Sequence, residues 1–340
     1  MPKTVRVLSN VSMDAVPFDA LFAGNEPVIL KGLASQWPMV LAGQKSAQTL
    51  IDMLIKNYDG KPVLVYEGKP EMRGRYTYNE TVSGFNFNAV RRDLSEVLHE
   101  INALPEKDHP FYYYMNSITF DQTFAGLDKA NTLNFNHSEF ESYPRTSKIW
   151  IGNQSRASAH YDMPKNIACC VYGKRRFTLF PPTQTPNLYP GPLFPTPGGQ
   201  VVTLADLKEP DFDRFPNIRE ALQEAVIADL EPGDVLYYPS MWWHEVEAFD
   251  HFNVMVNYWW TPAPSYMGNP MDVLMHAMLN IRDRSEADKR AWRELFDYYI
   301  FGDVDIPRRH LPEKVQGALA EMDLANARRI RAAVHQSLKR

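Results

Sequence analysis

Cysteine is nearly absent. The 340 residues contain two, and they are neighbours, Cys169 and Cys170. Adjacent side chains on a strand point to opposite faces, so this pair makes neither an ordinary disulfide nor a zinc knuckle. An unstapled chain in a reducing compartment is expected. No apolar run approaches the roughly 18 residues of a membrane span. The opening Met-Pro-Lys-Thr-Val leads into mixed residues rather than an apolar stretch. No signal peptide is therefore expected, and the expected location is cytoplasmic. Positive charge is not in excess either: 36 Lys plus Arg against 41 Asp plus Glu leave a formal charge of −5, which argues against a general DNA binder. Dominant disorder is excluded, because 44% of residues are hydrophobic and 23% charged, the balance of a chain that buries a sizeable core.

What the sequence does have is aromatics, 12% of it, and 26 prolines. Both favour a fold rich in strands and turns. Residues 1–110 mix strands and helices. "PVILKGL" (27–33) and "PVLVYEG" (62–68) read as strands. Ser46 is placed to cap a helix carrying Leu50, Ile51, Leu54 and Ile55, with Gly60 beyond its end. The spacing of Leu94, Val97, Leu98 and Ile101 predicts a second helix. Residues 111–262 carry short β-branched and aromatic runs, among them "FYYYMNSI", "SKIWIGN", "NIACCVY", "RRFTLFP", "DVLYYP" and "FNVMVNYWW". Separated by Gly, Pro and Asn clusters, they predict an antiparallel sandwich or barrel. The connection 181–224 is long, and long connections inside compact cores are usually functional. Residues 270–340 return to helical spacing. Val273, Leu274, Ala277, Met278 and Ile281 form one stripe, and Ser285 with Asp288 resembles a capping box. Trp292, Leu295, Phe296 and Tyr299 follow, with Gly302 able to end that helix. A third helix is expected from Pro312 through Val334.

Among nine histidines, two have unusual surroundings. His160 and Asp162, in "ASAHYDMPKN", are two apart and share a face of a strand. An imidazole and a carboxylate suit Fe(II), Mn(II) or Zn(II), and one more imidazole completes a facial triad with open positions. His-x-Asp alone is weak evidence, since a surface pair explains most instances. His244 follows Trp242 and Trp243 near a strand start in "PGDVLYYPSMWWHEVEA". It reads either as a core histidine bonded to a carbonyl or as that third ligand, delivered from an adjacent strand. His137 and Glu139 repeat the spacing in an apparent loop and read as a surface pair, with a substrate-side role as the alternative. In "GKRRFTLFPP", alternation turns Arg175 inward with Phe177 and Leu179, and a buried guanidinium needs an anion, either a structural carboxylate or a dicarboxylate ligand. Asn166 and Asn257 stand at buried positions that require partners. Tyr113 could add a hydroxyl.

Taken in order, "HYD", "LFPP", "FDRFPN", "PGDVLYYP", "WWH" and "VNYWW" resemble the Jumonji-C, cupin-like family of iron(II)- and 2-oxoglutarate-dependent oxygenases, including its asparaginyl-hydroxylase branch that acts on hypoxia-inducible factor. The resemblance spans roughly residues 27–262. It implies a mainly β fold with α: a double-stranded β-helix (jelly-roll, cupin-like) core over 111–262, an N-terminal α/β extension over 1–110, and a C-terminal helical region over 270–340. It implies Fe(II) on His160, Asp162 and His244, all three catalytic, and 2-oxoglutarate held by Arg175, Asn166, Asn257 and Tyr113. It implies hydroxylation of a protein or peptide side chain, with small-molecule or RNA substrates and lysine demethylation as alternatives, and a homodimer through the C-terminal helices. No DNA or membrane partner is implied. Two positions depart from the branch: Arg175 replaces a lysine, and Ala157 replaces a threonine, removing a hydroxyl, while Ser158 faces away on an ideal strand. These departures keep open a metal-binding cupin-like protein without oxygenase activity, an isomerase-type or sensory module. A partner-binding scaffold is a third reading.

Overall fold

The computed structural model describes residues 3–104 and 111–338; the boundary expected at residue 110 lies outside them. Contacts divide the chain into two compact units, one ending at Pro262 and one beginning at Ala263.

Among the described residues, the first unit is built on fifteen strands. The N-terminal ones are β1 (Lys3–Thr4), β2 (Arg6–Leu8), β3 (Val28–Leu30), β4 (Val63–Gly68), β5 (Arg75–Tyr76), β6 (Phe87–Arg92) and β7 (Tyr112–Thr119). Then come β8 (Thr146–Gly152), β9 (Ser155–Tyr161), β10 (Lys165–Tyr172), β11 (Arg175–Phe180), β12 (Val226–Leu230), β13 (Val235–Tyr238), β14 (Trp243–Ala248) and β15 (Asn253–Trp260). They form two sheets. The order is β1-β12-β11-β14-β9-β5 in the smaller and β2-β3-β13-β10-β15-β8-β7-β4-β6 in the larger. Strands β8 to β15 supply four neighbours to each sheet, the two faces of a jelly roll. The N-terminal strands extend both sheets rather than forming a sheet of their own.

Strand alternation sorts the apolar side chains into three layers. Ala168, Cys170, Phe177, Leu179, Leu236, Tyr238, Val246 and Met255 fill the space between the sheets. The outer face of the large sheet, with Cys169, Ile149, Ile151, Val254 and Val256, packs on the N-terminal helices. The two cysteines thus lie on opposite faces, buried and free. The helix Ala47–Asn57 starts where Ser46 accepts a hydrogen bond from the Thr49 amide, and it buries Leu50, Ile51 and Leu54. The helix Leu94–Ala103 buries all four residues that its spacing marked. The outer face of the small sheet, with Ala159, Phe180 and Trp243, is covered by the long connection through Leu188, Val201, Ala205, Phe215 and Ile218. Pro182–Leu188 is a 3-10 helix and Ile218–Glu224 an α-helix, so that connection is partly ordered by its own elements.

In the second unit, helices Pro270–Asn280 and Glu286–Phe296 form as their stripes predict, and Ser285 caps the second on the Asp288 amide. The helix expected from Pro312 does not run continuously. Two 3-10 turns, Glu313–Val315 and Gly317–Leu319, come first. The helix begins at Leu324, capped by Asp323. Gly317 at φ +56 and extended Ala320 break the earlier segment, and the Asp323 carboxylate restarts it by accepting from the Asn326 amide. No helix among the described residues is long and apolar enough to cross a membrane.

One buried carboxylate ties the turn before β13 to β3. Asp234 accepts from the amides of Gly32 and Glu231, both at 2.9 Å, and from Lys31 Nζ at 2.8 Å. Replacing it strands two amides. Asp234→Ala should cost about 2–3 kcal/mol in urea unfolding. Asp229→Ala, which removes only the exposed partner of Arg176, should cost under about 1 kcal/mol. Equal losses would show that burial does not set the value of these pairs.

Candidate active site

Strand pairing brings the first and third candidate ligands side by side. His160 on β9 lies directly opposite His244 on β14, with ring centroids 4.3 Å apart. The register of this pair shifts between His244 and Val246. That bulge re-aims side chains, and it places both Ala157 and Ser158 on the wall of the cavity. The expectation that Ser158 turns away holds only for an unbulged strand. Asp162 follows β9, and its backbone carbonyl accepts from the Met241 amide at 2.8 Å. Met241 sits at φ +64, a conformation that costs a side-chain-bearing residue about 1 kcal/mol. The tight turn it forms carries the chain from β13 into β14.

Each imidazole is held by its Nδ1. His160 Nδ1 is 2.9 Å from the Ser158 carbonyl, and His244 Nδ1 is 3.0 Å from the Trp242 carbonyl. A carbonyl only accepts, so both Nδ1 atoms donate, and in the neutral ring this leaves the lone pair on Nε2. His244 Nε2 lies 3.6 Å from Asp162 Oδ2, and one ligand atom from each of the three residues falls within 4.8 Å of the others. Burial pushes the His244 imidazolium well below its ordinary range, and a charge on His160 pushes it further, so His244 is neutral. Burial raises Asp162, while His160 and hydrogen bonds from Asn166 and Trp259 pull it back. Two neutral-capable imidazoles and one carboxylate on one side of an open point are a donor set for a divalent cation.

Arg175 opens β11 facing inward with Phe177 and Leu179, as alternation predicts, while Arg176 faces out to Asp229. Only 4% of Arg175 is exposed, and its Nε has no hydrogen-bond partner. Burial lowers its pKa, and among the described residues no carboxylate is found acting on it. Asn257 donates to Asn166 Oδ1 at 3.1 Å, but its own Oδ1 is buried without a partner. The Trp259 indole also donates to Asn166 Oδ1. The open polar atoms therefore face the barrel interior.

Tyr113 is not among the residues brought together. It packs with Met115 in the layer beneath the large sheet, and its hydroxyl is bonded to Glu100. Tyr114, one residue on, takes the opposite face. It lines the cavity, and its hydroxyl is influenced by Arg175 and Asp162. Met115, a core residue, shares a face with Tyr113; that pairing was the available signal. His137 and Glu139 are not a surface pair either. Glu139 accepts from Lys165 Nζ at 2.8 Å and from Trp260 Nε1 at 2.6 Å, and His137 caps the short helix Ser138–Ser142.

The cavity at the triad holds about 210 Å³. Tyr66, Tyr76, Tyr114, Trp150 and Trp259 form much of its wall, with Pro197, Gly198, Gln200 and Val202 of the long connection closing one side. The Trp150 indole N–H is a further buried donor without a partner.

Comparisons with known proteins agree with this architecture. Residues 15–266 match the model of the cupin-like domain family. Over 122 residues, the chain is 31% identical to lysine-specific demethylase JMJ31 of Arabidopsis thaliana, covering 36% of this chain and 21% of that protein. It is 39% identical to human HSPB1-associated protein 1 over 115 residues, 33% of this chain and 23% of the relative. A longer match, 25% identical over 253 residues, joins it to tRNA wybutosine-synthesizing protein 5 of Gallus gallus, covering 72% and 73% of the two chains. The chain thus spans under a quarter of the length of the first two relatives. A family match over most of the first unit, around a His-Asp-His group in a jelly roll, makes this chain a member of the cupin-like, JmjC-type family.

Proposed function

We propose that the chain is an Fe(II)- and 2-oxoglutarate-dependent oxygenase that hydroxylates a protein or peptide side chain, releasing succinate and carbon dioxide. The observation that carries this reading is the buried, acid-free Arg175 guanidinium on the same barrel interior as His160, Asp162 and His244. A cation buried without a counter-ion is costly, and a dicarboxylate ligand supplies what is missing. Named relatives in the family include a demethylase and a tRNA-modifying protein. The formal charge of −5 favours a protein substrate over RNA, whose phosphates call for a basic surface.

The residues present fit both groups. His160 and His244 would offer their Nε2 lone pairs, and Asp162 a carboxylate oxygen, to Fe(II). Arg175 would fork onto the distal carboxylate of 2-oxoglutarate, a bidentate geometry that the lysine of the asparaginyl-hydroxylase branch cannot make. Asn257 and Asn166 orient one another beside it, and Tyr114, rather than Tyr113, would supply the supporting hydroxyl. Ser158 lines the cavity beside Ala157, but its hydroxyl accepts from Arg75 Nε at 3.2 Å. When bound, the iron and keto acid supply oxidative decarboxylation and the oxidising power for C–H hydroxylation. The aromatic wall excludes water and narrows the approach of the target C–H bond.

The second unit is the proposed dimerisation region. Its helices expose Val273, Leu279, Ile300 and Phe301, an apolar surface suited to an isologous contact with a second copy. A cytoplasmic location belongs to the same reading, and the two free, buried cysteines are in keeping with it.

Two outcomes are expected. N-oxalylglycine at 100 times its dissociation constant should stabilise the Mn(II)-loaded protein by about 2.7 kcal/mol. Arg175→Met should lose that shift yet keep Mn(II), and Asp162→Ala should lose both Mn(II) and Fe(II)-dependent succinate formation. Metal binding with no ligand shift in the unmutated protein would favour the metal-binding cupin-like alternative. Light scattering at micromolar protein should give twice the mass of one chain, falling to a single chain in Leu279→Glu/Phe301→Glu. A monomeric parent protein would remove the dimer.

A further inference from the structure

The outer edge of β9 has two partners in succession. Strand β5 pairs with its first half, Arg75 opposite Arg156 and Tyr76 opposite Ala157. The long connection then takes over: Val202 bridges His160, and the Thr203 amide donates to the Ala159 carbonyl at 2.7 Å. Arg75 stands at the junction, and all three of its guanidinium nitrogens are engaged. Nε donates to Ser158 Oγ at 3.2 Å. Nη2 donates to the Ala205 carbonyl at 2.8 Å and the Leu204 carbonyl at 3.4 Å. Nη1 lies 3.6 Å from Asp206 Oδ2. Asp206 is in turn gripped by the Arg156 fork, with Nη2 to Oδ2 at 2.8 Å.

These contacts join two parts of the molecule that shape the cavity. Ser158 is the bulge residue whose carbonyl fixes His160 Nδ1. Leu204, Ala205 and Asp206 end the stretch whose Pro197, Gly198, Gln200 and Val202 wall the cavity. The network is largely shielded from solvent: Arg156 is buried and the Arg75 side chain is 15% exposed. Buried Glu245, next along β14 from His244, feels Arg156 and Arg75 as its positive neighbours. Two arginines thus face two carboxylates. Burial pushes the Asp206 carboxyl up, but the Arg156 hydrogen bond and the two guanidinium charges bring it down to about 2. Asp206 is paired with both guanidinium groups, whereas buried Glu245 has one carboxylate oxygen without a partner and is pushed up to about 7 by burial. Removing Asp206 or an arginine leaves its partners unpaired.

We propose that Arg75 is a positioning residue, a clasp that holds residues 190–205 over the cavity and fixes the bulge from which His160 is aimed. The clasp stands on its own geometry; its effect on a bound metal rests on the triad reading above. Arg75→Lys keeps the charge but cannot serve Ser158, the two carbonyls and Asp206 together.

The test compares the full-length protein with Arg75→Ala, Arg75→Lys, Ser158→Ala and Asp206→Asn, and with Arg176→Ala as a surface-pair control. Hydrogen–deuterium exchange is followed in peptides covering 190–205 and 165–172. Co(II) affinity and its ligand-field absorption are recorded alongside. In Arg75→Ala and Asp206→Asn, exchange over 190–205 should quicken about tenfold or more while 165–172 stays unchanged, as expected of a local opening. Arg75→Lys should recover part of the protection. Co(II) should bind more weakly with a shifted band in Arg75→Ala and Ser158→Ala, and Arg176→Ala should match the parent throughout. Parent-like exchange over 190–205 in the Arg75 and Asp206 variants overturns the clasp. Faster exchange with an unchanged Co(II) band and affinity overturns the aiming of His160. If Arg75→Ala does not fold, Asp206→Asn and Ser158→Ala decide the two halves separately. If the parent protein binds no Co(II), the metal reading falls, and exchange alone still judges the clasp.

Discussion

A guanidinium buried in an apolar barrel, with no carboxylate among the described residues to pair it, is the constraint around which this structure is organised. Phe177 and Leu179 commit β11 to one orientation, and that orientation carries Arg175 inward. The desolvation this imposes is tolerable only if an anion arrives or the site stays polar. The barrel meets the second condition locally with Tyr114, and leaves the first open. The same interior receives His160, Asp162 and His244. The charge that these residues and Arg175 lack is the charge that a divalent cation and a dicarboxylate would bring.

The layers behind the site explain why its geometry is held. Each imidazole is pinned by a carbonyl two residues earlier, so backbone rather than side-chain choice sets which nitrogen faces inward. Trp243 packs into the outer layer and donates to Thr185 at 2.9 Å, which fixes the strand that presents His244. The long connection supplies that outer layer and one wall of the cavity at once. Packing on the outside of the small sheet and access to its inside are therefore carried by one stretch of chain.

Where side chains alternate regularly, residue order foretold the structure. The inward face of Arg175, Phe177 and Leu179, the opposite faces of Cys169 and Cys170, and the stripes of the helices at Ala47–Asn57 and Leu94–Ala103 all follow period alone. So did the neighbouring strands of His160 and His244, once the order of motifs suggested a jelly roll. The misses fall where period breaks. Tyr113 and Tyr114 differ by one position on β7, and a one-residue choice reverses the face. Ser158 joins the cavity wall through a bulge that no local pattern announces. The Pro312 helix failed on a left-handed glycine and a later cap. Arg75 and Asp206 are remote in the chain and meet only through strand pairing at the edge of β9, so neither stood out beforehand.

Diffraction from crystals grown with Mn(II) and N-oxalylglycine tests the central claim most directly. The account predicts an anomalous peak about 2.1 Å from His160 Nε2, an Asp162 oxygen and His244 Nε2, with the analogue's distal carboxylate forked onto Arg175. A metal bound elsewhere, or Arg175 paired with a carboxylate of the protein itself, would contradict it.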